Sequence, residues 1–272
     1  MKNLFILLIT ALLLGSCSPY LKVLQSDDLK LKYSVADSLY NQGKYKKSLQ
    51  LWEQIVPSYR GRPNAERVMY LYADTFYQLE DYYTAGYQLE RFVTAYPESE
   101  KRTEAAFKGA ESYYNLSPRY NLDQADTYKA MDKLQTFINS YPDSENLGRA
   151  NEMIQELLTK IEKKEFEIAK GYNKIGASRG TFPNAIKAFD NFLSAHPGSL
   201  YSEDAYFWRF DSAYQLAKGS AERLKKERLD AAKDAHSLLI KYFPSGKYNE
   251  EATKMIEDIN KLLEESKNLN SK

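Results

Sequence analysis

Residues 85–99 read AGYQLERFVTAYPES, and their spacing of small, apolar and proline residues occurs three more times along the chain. In each copy a small residue lies twelve positions before a proline, a large residue eight before it and a bulky apolar residue five before it. The four copies are Ala85, Leu89, Phe92, Pro97; Ala130, Leu134, Phe137, Pro142; Ala185, Phe189, Phe192, Pro197; and Ala232, His236, Leu239, Pro244. Only His236 departs from the apolar character of its position. Four matching copies indicate an internal repeat.

This spacing predicts the second helix of a helical hairpin. Steps of three and four residues place side chains on one helical face, and a small alanine allows two helices to cross closely. Proline cannot continue a helix and pushes the residue before it out of the α region, so each helix should end there. A first helix with its own apolar stripe precedes each alanine, most clearly Met69, Tyr72, Ala73, Phe76 and Tyr77. A further unit at the front runs from Ala36 to Ile55, with its proline displaced to Pro57.

The pattern resembles the tetratricopeptide repeat, whose small, aromatic and proline positions recur over 34 residues, and it covers residues 29 to 247. We therefore predict an all-α protein, an α-solenoid of about five tetratricopeptide-like helical hairpins. The alanine-to-alanine distances are 45, 55 and 47 residues, so loops or longer helices are inserted, notably between Tyr114 and Ala130 and between Tyr214 and Ala232. An unusually long helix is expected from Ala150 towards Ile168. A C-terminal capping helix with a charged outer face should close the array.

The N-terminus has the features of a secretory signal. Lys2 precedes an apolar stretch at residues 4–14, which is too short to cross a ~30 Å hydrocarbon core, and small residues follow. Leu14-Gly15-Ser16-Cys17 resembles the bacterial lipobox, in which signal peptidase II cuts before a cysteine that becomes lipidated. Cys17 is the only cysteine, so no intramolecular disulfide is possible. We expect the lipid on Cys17 to anchor the chain in the outer membrane, facing the periplasm, and Ser18 resembles the residue of outer-membrane-sorted lipoproteins.

Composition and motifs argue against several classes of function. The 38 basic and 37 acidic residues nearly cancel, and a nucleic-acid binder usually shows a basic surplus. The sequence has no cysteine pair, no His-Glu-x-x-His and no Gly-x-Ser-x-Gly, and its only other histidine, His196, sits in a Pro-containing turn. The glycine spacing of residues 171–178 lacks the lysine and the preceding strand of a phosphate-binding loop. We therefore expect no enzyme, no metal and no cofactor other than the lipid on Cys17.

A basic stretch at residues 223–228 admits two interpretations. Its cations Arg223, Lys225, Lys226 and Arg228 alternate with acidic residues, as on a solvated helix face. The alternative is a docking surface for an acidic partner domain.

The 23 tyrosines suggest where a partner binds. In the tetratricopeptide pattern fixed positions of the first helices line a concave groove, and aromatic rings with polar tips suit an extended peptide there. Arg67 could meet the peptide backbone or a terminal carboxylate, although any one tyrosine could instead pack between helices. Carried over residue by residue, the candidate groove residues are Asp37, Tyr40, Asn41, Arg67, Tyr70, Asp74, Tyr77, Gln78, Phe107, Glu111 and Tyr114.

Taken together, these features resemble the BamD family, the tetratricopeptide lipoproteins of the outer-membrane β-barrel assembly machinery. The resemblance rests on the lipobox, on residues 39–45 (LYNQGKY), on the Tyr-Pro-acid-Ser turns at 96–99 and 141–144, and on the insert after Tyr113. It implies a non-catalytic scaffold that binds the periplasmic domains of the barrel assembly protein and receives unfolded outer membrane proteins. The alternative is a periplasmic lipoprotein that binds cell-wall glycan or another envelope protein.

The predicted organisation has four parts. Residues 1–16 form the lipoprotein signal peptide and residues 17–28 a lipidated N-terminal linker. Repeats 1–3 occupy residues 29–144, and repeats 4–5 with the capping helix occupy residues 145–272.

Overall fold

A computed structural model describes residues 19–270, with side chains up to residue 266. This part of the chain contains thirteen helices and no strand. The signal peptide and Cys17 lie outside the described residues. The helices are α1 Pro19–Gln25, α2 Leu29–Asn41, α3 Tyr45–Tyr59, α4 Ala65–Gln78, α5 Tyr82–Ala95, α6 Arg102–Leu116, α7 Ala125–Ser140, α8 Leu147–Lys174, α9 Gly176–Arg179, α10 Phe182–Ala195, α11 Ser202–Lys218, α12 Glu222–Tyr242 and α13 Asn249–Asn270.

The prolines of the repeat end the second helices as predicted. Helices α5, α7, α10 and α12 each end two residues before a proline of the pattern. At the first of these ends, the Tyr96 N–H still donates to the Phe92 carbonyl oxygen, while ψ of Tyr96 has already left the helical range at 69°. The alanine and apolar positions of all four copies are buried, with between 0% and 2% of their surface exposed. The repeated spacing therefore marks the buried face of the second helices.

Two positions of the pattern differ in detail from the other copies. Pro57 lies inside α3, which continues to Tyr59 instead of ending at the proline. Pro57 removes one backbone N–H from the hydrogen bonds of α3, but the helix ends two residues later, and the neighbouring Val56 is buried in the core. His236 is half-buried and meets the ring of Phe210 edge-on at 5.3 Å between centroids. This ring contact identifies His236 as a packing residue, and its burial lowers its pKa.

The chain divides into two compact units. Within the described residues, unit 1 comprises residues 19–118 and 125–154, and unit 2 comprises residues 119–124 and 155–270. The boundary falls inside α8, ten residues beyond the predicted start of repeat 4 at residue 145, and the predicted division stays a prediction.

In unit 1 the first helices α2, α4 and α6 contact one another in sequence, and the second helices α3, α5 and α7 pack beside them. The core contains Trp52, Leu89 and Phe92, all with no exposed surface. The segment expected as a linker contains α1, whose Tyr20 hydroxyl donates to Gln50 Oε1 at 2.7 Å. Helix α1 therefore docks on α3.

Unit 2 contains α10, α11 and α12 as successive neighbours, and α13 contacts both α11 and α12. Its core includes Phe207, Phe210, Leu229 and Ile259. Helix α13 covers the face that the last hairpin would otherwise expose, as the capping role requires. The insert between Tyr214 and Ala232 takes the form of longer helices on either side of a short turn.

Candidate functional site

Hydrogen bonds between residues 34 positions apart connect the first helices of unit 1. The Tyr40 hydroxyl donates to Asp74, and the Tyr77 hydroxyl donates to Glu111. The Tyr70 hydroxyl donates to Glu104 Oε1 at 2.7 Å, again across a separation of 34 residues. These separations equal the tetratricopeptide period, so equivalent positions of neighbouring repeats face each other across α2, α4 and α6.

Lys108 on α6 lies at the centre of this arrangement. Its ammonium is 2.6 Å from Asp74 Oδ1 and 2.8 Å from Glu104 Oε1. The Asp74 side chain has no exposed surface, and that of Lys108 is 18% exposed. Gln78 donates a further hydrogen bond to Asp74 at 3.2 Å. A buried carboxylate therefore has three donors from three different side chains, and we call Tyr40, Tyr70, Asp74, Glu104 and Lys108 the Lys108 network.

The hydrogen bonds of the Lys108 network favour the charged forms of Glu104 and Lys108. Burial by itself would lower the pKa of Lys108, but hydrogen bonds and charge from Asp74 and Glu104 raise it above the ordinary value. Burial would raise the pKa of Glu104, but hydrogen bonds from Lys101, Lys108 and Tyr70 lower it to about 2. Burial, followed by the neighbouring carboxylates, raises the pKa of the Tyr40 and Tyr70 hydroxyls, which keeps them protonated as donors.

A concave pocket of about 590 Å³ opens beside this network. Its walls come from α2, α4, the turn after α5, and α6. The lining residues are Tyr40, Asn41, Glu66, Arg67, Tyr70, Leu71, Glu98, Ser99, Glu100, Lys101, Glu104 and Lys108. The Ser99 hydroxyl donates to Glu66 Oε1 at 2.5 Å, and its oxygen accepts from the Lys101 N–H at 3.0 Å. The proline turn that ends α5 is thereby held against α4 and α6.

The structure separates the eleven candidate groove residues into four groups. Four of them line the pocket: Tyr40, Asn41, Arg67 and Tyr70. Four others have hydrogen-bonded side chains close to the pocket: Asp37, Asp74, Tyr77 and Gln78. Glu111 accepts from Tyr77, while Tyr114 lies under the guanidinium of Arg149 at 5.8 Å from its ring centroid. Phe107 is only 9% exposed and packs against Phe137 at 5.4 Å between ring centroids. Phe107 therefore contributes to the core and not to the groove surface.

Arg67 is not positioned as a simple receptor for a terminal carboxylate. Its guanidinium already pairs with Asp37 at 2.6 Å, and both side chains are partly exposed. Lys101 likewise pairs with Glu104 at 2.8 Å. A ligand carboxylate would have to compete with these protein carboxylates.

The sequence argument missed Lys108, Glu104 and Lys101. A signal for the first two was present, because Lys108 is 34 residues beyond Asp74 and Glu104 is 34 residues beyond Tyr70. The 34-residue period is preserved between the first helices of unit 1. Insertions lengthen the corresponding spacing between the second helices, on which the sequence pattern was based. The sequence does not indicate that these charged side chains are buried, although burial is what makes their pairing important for stability.

Within residues 19–270, no three His, Cys, Asp or Glu residues come together as a metal site would need. Across the same residues, no helix has both the length and the apolar composition for crossing a membrane.

The stacked hairpins and the 34-residue register between their first helices define an α-solenoid protein of the tetratricopeptide type. Residues 26–182 and 177–268 match the family YfiO, described as Outer membrane lipoprotein. The chain belongs to the YfiO family of outer membrane lipoproteins.

One relative and two solved structures show how far the similarity extends. A protein of Aquifex aeolicus (strain VF5) named "Putative outer membrane protein assembly factor BamD" is 28% identical over 241 residues, which are 86% of this chain and 75% of that protein. The structure titled "TPR2AB-domain:pHSP90-complex of yeast Sti1" has a TM-score of 0.39 at 13% identity, covering 85% of this chain and 98% of that one. A kinesin light chain with TPR-like repeats from Podosopora anserina has a TM-score of 0.32 at 14% identity, covering 88% and 96%. The fold assignment rests on the helices themselves.

Proposed function

We propose that this chain is a non-catalytic scaffold of outer membrane protein assembly, anchored by lipid on Cys17, which binds unfolded precursor segments in the pocket of unit 1. The observation that carries the proposal is the pocket of about 590 Å³ between the first helices of three successive repeats. The name of the Aquifex relative, a putative outer membrane protein assembly factor, supports the process.

The Lys108 network prepares the pocket for an extended peptide. Tyr40, which is partly exposed, is held in place by its hydrogen bond to Asp74, so little side-chain freedom is lost when a ligand packs on it. Asn41 is exposed at the pocket and offers both a donor and an acceptor to a peptide backbone. The pocket lining combines the Tyr40 ring with charged and polar side chains, which can contact both the side chains and the backbone of an extended peptide.

The same geometry disfavours the glycan alternative. Sugars stack on exposed aromatic faces, whereas Tyr70 is only 7% exposed and has ammonium groups near its ring. Glycan binding predicts retention of the lipoprotein on cell-wall or polysaccharide columns, lost on Tyr70→Ala or Tyr77→Ala. Retention that depends on these tyrosines would replace the peptide proposal.

Peptide binding is tested with the purified lipoprotein in mild detergent and a fluorescent peptide that carries the last strand of an outer membrane β-barrel. The double variant Asn41→Ala/Arg67→Ala removes two exposed pocket side chains without touching the core. We expect it to weaken binding about five-fold or more, since truncating an important interface side chain costs about 1 kcal/mol or more. The matched control Gln54→Ala/Arg60→Ala removes an exposed amide and an exposed guanidinium from α3 and its C-terminal cap. Equal affinity in both double variants would exclude this pocket.

The partner of the scaffold is tested separately. Affinity purification of the tagged lipoprotein in mild detergent should recover a large β-barrel protein with periplasmic domains. If no such protein is recovered, the assembly role fails even where the peptide binds.

A further inference from the structure

The insert between α6 and α7 is a loop whose backbone is fixed by hydrogen bonds. The Leu122 N–H donates to the Arg119 carbonyl oxygen at 3.0 Å and closes a turn. The Gln124 side chain, 5% exposed, donates to the carbonyl oxygens of Arg119 at 2.9 Å and Leu122 at 3.0 Å. Lys164 of α8 donates to the same Leu122 carbonyl oxygen at 2.5 Å. A buried amide and a lysine therefore fix the backbone of residues 119–124.

This loop forms one wall of a second pocket of about 480 Å³, all of it within unit 2. The opposite wall is the middle of α8, and Tyr201 closes one side with its ring stacked on Phe166 at 5.3 Å between centroids. The lining residues are Arg119, Tyr120, Asn121, Glu156, Thr159, Lys160, Lys163 and Tyr201. We call it the insert pocket.

The insert pocket is positively charged in a chain that is nearly neutral overall. It is lined by three cations, Arg119, Lys160 and Lys163, and by one carboxylate, Glu156. The charge of Glu156 interacts with that of Lys160. Within residues 19–266, neither Arg119 nor Lys163 makes an ion pair, and the Lys163 ammonium lies 4.6 Å from the centroid of the Tyr120 ring. Lys160 is partly buried in the pocket wall, and this burial lowers its pKa. An acidic ligand would therefore supply charge that the protein leaves uncompensated.

We propose that the insert pocket is a docking site for an acidic peptide segment of another protein, with carboxylates on Arg119 and Lys163 and an apolar side chain near Tyr120 and Leu122. Leu122 is 53% exposed on the same loop and offers the apolar contact. Asn121 and Thr159 can hydrogen-bond the backbone of such a segment. The site lies apart from the pocket of unit 1 and does not depend on the function proposed for it.

The donors of the insert pocket suit a peptide better than a phosphate group. Phosphate sites usually combine cations with free backbone N–H groups at a helix N-terminus or in a nest. The wall contributed by α8 comes from residues 156–163 in the interior of that helix, where backbone N–H groups are used in the helix. The remaining donors are side chains spread along two elements, which matches carboxylates spaced along a chain.

The test measures binding of two fluorescent peptides to the purified lipoprotein in mild detergent. One peptide alternates glutamate with leucine, and the other replaces each glutamate with glutamine. We expect the glutamate peptide to bind at least ten-fold more tightly and to lose affinity as salt is added. Arg119→Ala/Lys163→Ala should weaken its binding about ten-fold, because two ion pairs are lost together with the hydrogen bonds they carry. Arg119→Gln/Lys163→Gln repeats the measurement with the side-chain stems retained.

The control separates the insert pocket from the other basic surface of unit 2. Arg223→Ala/Lys226→Ala removes the same number of charges from exposed positions of α12 and should leave binding unchanged. Loss of binding in this variant instead would place the acidic ligand on α12 and overturn the proposal. Equal affinity for the glutamine peptide would overturn it too, and so would displacement of the peptide by millimolar inorganic phosphate.

Discussion

The substitution Lys108→Met tests whether the Lys108 network stabilises unit 1. The ammonium lies 2.6 Å from a carboxylate whose side chain has no exposed surface. At an effective dielectric constant of about 20, this separation corresponds to an attraction of about 6 kcal/mol. Part of that attraction offsets the cost of taking both charges out of water, so the substitution will not lose all of it.

We expect Lys108→Met to lower the free energy of unfolding by about 3–5 kcal/mol, the usual cost of leaving a buried charge without its partner. Tyr40 and Gln78 still donate to Asp74 and limit the loss. Urea denaturation followed by fluorescence of Trp52, which is fully buried in the core of unit 1, gives the measurement. Circular dichroism checks that the helices unfold with it.

Two further variants make the result specific. Asp74→Asn/Lys108→Met removes both charges and keeps an acceptor for Tyr40, so it should be more stable than the sum of the single losses predicts, by about 2 kcal/mol. Lys133→Met breaks a pair of nearly the same length, 2.7 Å to Glu90, in which the side chains are 31% and 38% exposed. It should cost less than about 1 kcal/mol. Equal losses for Lys108→Met and Lys133→Met, or strict additivity in the double variant, would refute the argument from burial.

Three other outcomes are expected. The Glu104 carboxyl should titrate by NMR with a midpoint at about pH 2 instead of near its ordinary 4.5. The stability that it contributes above pH 4.5 should be lost as the pH falls towards 2. A midpoint near 4.5 would contradict the hydrogen bonds assigned to it. In thermal unfolding, Gly176→Ala should destabilise by about 1–3 kcal/mol, because a Cβ there would come within 2.2 Å of the Phe182 ring. Gly171→Ala, with open space around it, should stabilise α8 by about 0.5–1 kcal/mol in the same measurement. Cys17→Ala should leave the precursor unprocessed by signal peptidase II, visible as a larger species on a gel, and normal maturation would refute the predicted cleavage site.

The helices that a proline ends were predictable in detail. Helices α5, α7, α10 and α12 follow from an alanine, two apolar positions and a proline, because each of these acts through local geometry or through burial of one face. Pro57 shows the limit of that rule. The same residue type lies inside α3 where it falls in the last turn of a helix held by core contacts.

The first helices that carry the candidate groove residues were predictable, but the contacts of those side chains were not. Tyr40 and Tyr70 were correctly placed on first helices, and the structure shows their hydroxyls donating to carboxylates of the neighbouring repeat. Phe107 occupies a groove position in the tetratricopeptide pattern, but its ring packs against Phe137. Which face of a helix a ring joins depends on the space left by its neighbours, and a single sequence does not contain that information.

The sequence by itself determined the helical hairpins and their ends, since proline and alanine spacing act locally, while the lipoprotein signal stays a prediction. The tertiary structure decided which charges pair and which remain uncompensated. Lys108 is balanced because α4 brings Asp74 within 2.6 Å of it, whereas Lys163 lies against the Tyr120 ring and makes no ion pair within residues 19–266. In the sequence both are lysines on the polar side of a helix. Electrostatic energy depends on separation and burial, and both are set only when helices distant in the chain pack together.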